Sequence, residues 1–90
     1  MADEKKPTID FYTFVLSLAS SAFVHLGDAP NPESGEVAQT DLPLAHQAID
    51  ILDMLREKTR GNLTPEEGKF LENLLTDLRL RYVAKASGKP

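Results

Sequence analysis

The feature that most constrains this chain is an uncharged, mainly apolar stretch from Phe11 to Leu26. At 100° per residue its apolar side chains spread over about 200° of a helix, relieved by Thr13, Ser17, Ser20 and Ser21. A helix that is apolar around most of its circumference has to be buried on most sides. Any fold of this chain must therefore cover this segment.

The stretch does not have the features of a signal peptide or of a membrane span. The residues before it include Asp3, Glu4 and Asp10, so they lack the basic character that a signal peptide needs. Sixteen helical residues reach about 24 Å, which is less than the roughly 30 Å of a hydrocarbon core. We therefore predict a buried helix in a cytoplasmic protein.

Ninety residues without a cysteine predict one small domain held together by apolar burial. A disulfide framework, a thiolate metal site and a cysteine nucleophile are all excluded. A chain of this size buries only about 60–65% of its unfolded surface, so its stability is marginal. We expect a flexible arm over residues 1–8, a single domain over 9–84, and a flexible tail over 85–90.

The fold class is predicted to be all-α, a small three-helix bundle. The predicted helices are residues 9–26, 43–59 and 65–84, with a long loop over 27–42. Because the loop is long and rich in proline and glycine, it is expected either to be mobile or to wrap across the bundle. The strongest local signal is Thr64 followed by Pro65 and by Glu67, which is the pattern of a helix capping box. Gly68, just after it, has no explanation in the sequence.

The second and third helices are each apolar on one side only. The stripe of the second is Leu44, Ala45, Ala48, Ile49, Ile51, Leu52 and Leu55. The stripe of the third is Phe70, Leu71, Leu74, Leu75, Leu78 and Tyr82. Two such stripes cover about half of the first helix and leave an apolar strip that monomers rarely expose. We therefore predict self-association around the first helix, with a two-fold homodimer as the commonest closed solution.

The predicted function is a non-enzymatic interaction or scaffold module that works by packing helix against helix. Its candidate self-association surface is Phe11, Phe14, Val15, Leu18, Ala22, Phe23, Leu80 and Val83. The alternative is a peripheral membrane protein whose first helix, residues 11–26, lies in the lipid interface. This alternative is disfavoured because the polar side of that helix is made of Ser and Thr, without cations.

The charge pattern argues against a nucleic-acid partner. The net charge is −4, with seven acids and one base in residues 28–57, and seven bases and four acids in residues 58–90. The basic end is typical of the last turns of a helix, where cations complement the helix dipole. A helix-turn-helix is also disfavoured, because Glu66 and Glu67 would meet phosphate at the reading end of the third helix.

Two groups of residues carry side chains that are common in metal or catalytic sites. His46, Asp50, Asp53 and Glu57 share one helix face, but a flat row on one helix is no metal cage, so we interpret it as a solvated acidic face. A pairing of His25 with a nearby serine lacks a nucleophile elbow and an oxyanion loop, so a core or helix-end role is favoured for His25. We predict no enzyme, cofactor or metal.

Five blocks of this sequence resemble a bacterial family of short uncharacterised proteins, DUF1844. The blocks are residues 9–18, 24–27, 49–55, 58–64 and 74–82, and the resemblance covers about residues 9–83. It implies a small all-helical bacterial protein, and it carries no activity, cofactor or catalytic residue. His25, Asn62 and Arg81 are the polar residues in these blocks that we would test first.

Overall fold

The computed structural model describes residues 9–37 and 39–88, which form three packed α-helices. These are α1 (Phe11–Leu26), α2 (Leu42–Lys58) and α3 (Pro65–Ala86). The predicted all-α, three-helix architecture is confirmed. Its bounds differ slightly at the ends, because α1 begins two residues later and α3 extends to Ala86, into the predicted tail. The predicted arm, residues 1–8, and the end of the tail, residues 89–90, lie outside the described residues.

The helix ends follow from local signals in the sequence. The predicted capping box is confirmed, since the Glu67 amide donates to Thr64 Oγ1 at 3.1 Å and the Thr64 amide donates to Glu67 Oε1 at 2.9 Å. Each side chain thereby satisfies an amide that the first turn of α3 leaves free. Asp10 does the same for α1 by accepting from the Thr13 amide at 2.8 Å. Gly27 ends α1 with a φ of 79°, in the left-handed region that favours glycine.

The loop between α1 and α2 is fastened to the end of α1. The Thr40 hydroxyl donates to the Leu26 carbonyl at 3.1 Å, and the Asp41 amide donates to the His25 carbonyl at 2.7 Å. Within the loop, the Gly35 amide donates to the Asn31 carbonyl at 2.7 Å and closes a turn. The beginning of α2 therefore lies beside the end of α1, and the two helices run antiparallel.

The core lies between the three helices and is made entirely of aliphatic side chains. Its members are Val15, Ala19, Ala22, Leu26, Ala45, Ala48, Ile49, Leu52, Leu71, Leu75 and Leu78. The predicted stripes of α2 and α3 supply seven of these residues. Two members of the α2 stripe differ from expectation, since Leu44 is 42% exposed and Ile51 is 39% exposed. At 100° per residue both lie at the edge of the arc centred between Ala45 and Leu52.

Gly68 lies inside α3 without a structural need for glycine. A Cβ built on it meets no atom within 4 Å, and its backbone does not have a positive φ. Because alanine loses less conformational freedom than glycine in a helix, we expect Gly68→Ala to raise the free energy of unfolding by about 0.5–1 kcal/mol. Urea denaturation measures this change. A decrease in stability would mean that Gly68 has a packing role in the folded chain.

Candidate interaction face

The contacts of α3 establish which flanks of α1 and α2 remain open. On α1, the Tyr12 ring meets the Phe70 ring edge-on at 5.1 Å between centroids. On α2, the His46 ring meets the Tyr82 ring at 5.5 Å, also edge-on. Since α1 and α2 each use one flank for α3 and also pack against one another, their other flanks adjoin on the far side of the bundle.

These adjoining flanks form one surface, which we call the α1–α2 face. At 100° per residue, the sides of α1 and α2 away from α3 carry Phe14, Ser17, Leu18, Ser21, Leu44 and Ile51. Phe14 is 44% exposed, and Leu44 and Ile51 are exposed to a similar extent, so the face presents large apolar side chains to solvent. The α1 half of the face is uncharged, because α1 contains no Asp, Glu, Lys or Arg. This combination of apolar and uncharged surface is typical of a protein contact.

A groove of about 280 Å³ continues the face toward the end of α1. It lies between α1 and the loop that follows, and is lined by Ser17, Ser20, Ser21, Val24, His25, Asn31 and Pro32. The Ser17 hydroxyl donates to the Thr13 carbonyl at 3.0 Å. If another side chain covered Ser17, the Ser17 hydroxyl would therefore keep its hydrogen bond within α1. The groove can accept an apolar side chain at this position.

The predicted self-association surface separates into groups with different surroundings. Val15 and Ala22 are fully buried in the chain's own core, so they have no surface to contribute, and this part of the prediction is corrected. Phe11, Leu18 and Phe23 are partly buried against the core. Of the predicted α1 residues, Phe14 is the one that stands out into solvent. The reason is that the side of α1 which carries Val15 and Ala22, together with Ala19 and Leu26, is the side that α2 and α3 cover.

Leu80 and Val83 are exposed but do not lie with Phe14. They are 67% and 62% exposed on α3. At 100° per residue Leu80 lies opposite the buried side of α3, and Val83 lies at the outer edge of the side that contacts α2 through Glu72. The structure therefore does not bring the α1 and α3 parts of the predicted surface together.

Arg81 belongs to a cluster of ion pairs that holds α3 to the end of α1. Its guanidinium lies 3.2 Å from Asp28, 3.1 Å from Asp77 and 5.0 Å from the centroid of the Phe23 ring. Lys85 Nζ also lies 2.9 Å from Asp28 Oδ1. The hydrogen bond from Lys85, together with that from Arg81, holds the pKa of Asp28 below its ordinary value near 3.8. The cluster explains Arg81 as a structural residue.

The other two polar residues singled out from the sequence lie apart from Arg81. His25 is half-buried, lines the groove and accepts the Asp41 amide through its backbone carbonyl. Asn62 is exposed in the link between α2 and α3, where its backbone N–H donates to the Thr59 carbonyl at 2.8 Å. The structure does not assemble the three into one site.

The acidic side chains in the row on α2 form ion pairs with neighbouring side chains. His46 Nδ1 lies 3.0 Å from Asp50 Oδ2, and Asp53 Oδ1 lies 2.6 Å from Arg56 and 3.1 Å from Arg79. In the described part of the chain, no three His, Cys, Asp or Glu side chains are grouped so that they could hold a metal ion. The first two of these contacts lie within α2, and the pair of Asp53 with Arg79 links α2 to α3.

A larger concavity, of about 560 Å³, lies at the turn between α2 and α3. Two of its cations are already paired, because Arg60 binds Glu57 at 2.7 Å and Arg56 binds Glu72 at 3.1 Å. The first turn of α3 beside it carries Glu66 and Glu67, which offset the positive end of the helix dipole. Because these charges are already paired or offset, the concavity is a weaker candidate for a functional site than the α1–α2 face.

The comparisons with known proteins concern the family of the chain and leave its function open. Within residues 9–37 and 39–88, no helix has both the length and the apolar character to cross a membrane. No curated protein and no solved structure was found to match this chain. A family model does match, over residues 8–84, which is most of the chain and includes all three helices apart from the end of α3. The chain belongs to the family described as Domain of unknown function (DUF1844).

Proposed function

We propose that this chain is a non-enzymatic interaction module that binds another protein chain through the α1–α2 face. The observation that carries the proposal is the exposure of Phe14, Leu44 and Ile51 on one side of a bundle whose core is otherwise complete. Large apolar side chains that remain exposed together are covered in most proteins by a partner. The mode of binding is the packing of helix on helix, without a cofactor.

The distribution of charge supports a protein partner over a charged ligand. Ion pairs concentrate where α3 meets α2 and the end of α1, as with Arg79 and Asp53. The α1–α2 face, on the opposite side of the bundle, carries apolar side chains. Burying them against a partner is favourable because it removes apolar surface from water. The polar members of the face on α1, Ser17 and Ser21, are small and uncharged, so they do not attract anionic lipid headgroups or phosphate.

The proposal is tested by photo-crosslinking inside the cell. A benzophenone amino acid replaces Phe14 in one variant and Thr76, which is exposed on α3, in a matched control. We expect irradiation to attach protein to the variant at position 14 and little or none to the control. Adducts with lipid alone would overturn the proposal in favour of the membrane-surface alternative. Equal yields of protein adduct at the two positions would also contradict it.

A further inference from the structure

We propose that the partner on the α1–α2 face is a second copy of this chain, paired through antiparallel α1 helices about a two-fold axis beside Ser17. This inference rests on the proposed function, and it adds the identity of the partner and the register of the contact. It arises because α1 carries both an apolar knob and a groove that could receive one, on the same side of the helix.

The knob is Phe14 and the groove is centred on Ser20 and Ser21. At 100° per residue the three side chains lie within about 120° of one another on the outer side of α1. The midpoint between the knob and the near side of the groove is Ser17, three residues from Phe14 and three from Ser20. A two-fold axis beside Ser17 therefore brings Phe14 of each copy to the level of Ser20 and Ser21 of the other. Phe14 faces Ser21 there, because the two lie only about 20° apart around the helix. The contact is reciprocal, as the isologous interface of a two-fold dimer requires.

Charge favours a copy of this chain as the occupant. Because α1 contains no Asp, Glu, Lys or Arg, two α1 helices can meet without opposing like charges. Residues 1–8, which precede the described part of the chain, are mostly polar or charged and have only Met1 and Ala2 as apolar residues outside Pro7. The composition of that segment therefore does not match the apolar character of the face.

The size of the face fits a small dimer. The 16 residues of α1 extend about 24 Å, and two helices side by side present a width of about 20 Å, or about 480 Å² in projection. The accessible area of a surface with projecting side chains is larger than its projection. A standard interface buries about 800 Å² per partner, so a contact over this face is at the small end of the range for specific pairing.

The absence of cysteine gives a direct test of the register, because a single introduced cysteine is the only thiol in the chain. Ser17→Cys places one thiol from each copy at the axis, within the Cα separation of about 4.4–6.8 Å that a disulfide spans. We expect it to form a cross-linked dimer about a hundredfold faster than Thr76→Cys at about 10 µM protein under mild oxidation, since pairing raises the effective thiol concentration. Equal rates for the two variants would overturn the proposed register.

The identity of the partner is tested by light scattering on the purified chain. We expect a dimer mass for the wild type at about 50 µM and a dissociation constant raised about thirtyfold or more by Phe14→Ser. Leu80→Ser, which also replaces an exposed apolar residue, should leave the mass unchanged. Circular dichroism checks that each variant keeps its helices. A monomer mass for the wild type would overturn the second copy as the partner, and protein adducts at position 14 in the cell would then still support the proposed function.

Discussion

Replacing Leu75 by alanine is expected to lower the free energy of unfolding by about 2–5 kcal/mol. Leu75 lies in the middle of α3, is fully buried, and belongs to the core that all three helices share. Truncation removes its apolar contacts and leaves a cavity that the surrounding helices fill only in part. A domain of 90 residues has about 5–13 kcal/mol of stability in total, so the loss is a large fraction of it.

The matched control for this prediction is Leu80→Ala on the same helix. Leu80 is mainly exposed, so its truncation should change stability by no more than about 0.5 kcal/mol. Urea denaturation of both variants measures the two losses, each as a shift in the urea concentration at half unfolding with an unchanged m-value. If Leu75→Ala does not fold, Leu75→Met serves in its place, with an expected loss below about 1.5 kcal/mol. Equal effects at positions 75 and 80 would contradict the placement of the core.

Replacing Asp28 by alanine is expected to lower the free energy of unfolding by about 1–2 kcal/mol. Its side chain is only 17% exposed and binds both Arg81 and Lys85, which fastens the last turns of α3 to the end of α1. The loss is less than that of a fully buried charged hydrogen bond, because both cations can turn toward water. The control is Glu57→Ala, which breaks an exposed pair between Glu57, in the last turn of α2, and Arg60 just after that helix, and should have no measurable effect.

The same substitution predicts a pH dependence. Because the pKa of Asp28 is lower in the folded chain than its ordinary value of 3.8, its contribution is present well above that value and is lost as the pH falls through the folded pKa. The stability difference between the wild type and Asp28→Ala should therefore shrink between neutral pH and about pH 3. A difference that stays constant over this range would mean that the Asp28 charge does not stabilise the fold.

The helix ends could be predicted from sequence because their signals are local. Thr64 and Glu67 are three residues apart and satisfy each other's amides, so the beginning of α3 requires no knowledge of the rest of the chain. Pro43 in the first turn of α2 and Gly27 after α1 are equally local. The one-sided apolar stripe of α3 likewise indicated its buried residues, because a helix with a single apolar side has only one way to turn inward.

The orientation of α1 could not be predicted in the same way. A helix that is apolar over most of its circumference gives no signal for which side turns inward, so the sequence predicts Phe14, Val15 and Ala22 together on the self-association surface. The structure buries Ala19 and Ala22 and leaves Phe14 partly exposed. Small side chains facing inward let α1 lie close to its neighbours, and that choice depends on α2 and α3. The pairing of Asp28 with Arg81 also escaped prediction, because 53 residues separate the two along the chain.

The central claim is that a second polypeptide chain covers the α1–α2 face. The most direct test is the rate at which a maleimide labels a cysteine on this face in intact cells. Ser17→Cys and Thr76→Cys each give the chain a single thiol, one on the proposed contact and one on the exposed side of α3. If nine-tenths of the chains are paired, a permeant maleimide should label position 17 about tenfold more slowly than position 76, with the difference abolished after denaturation. Equal labelling of the two positions in the cell would contradict the claim.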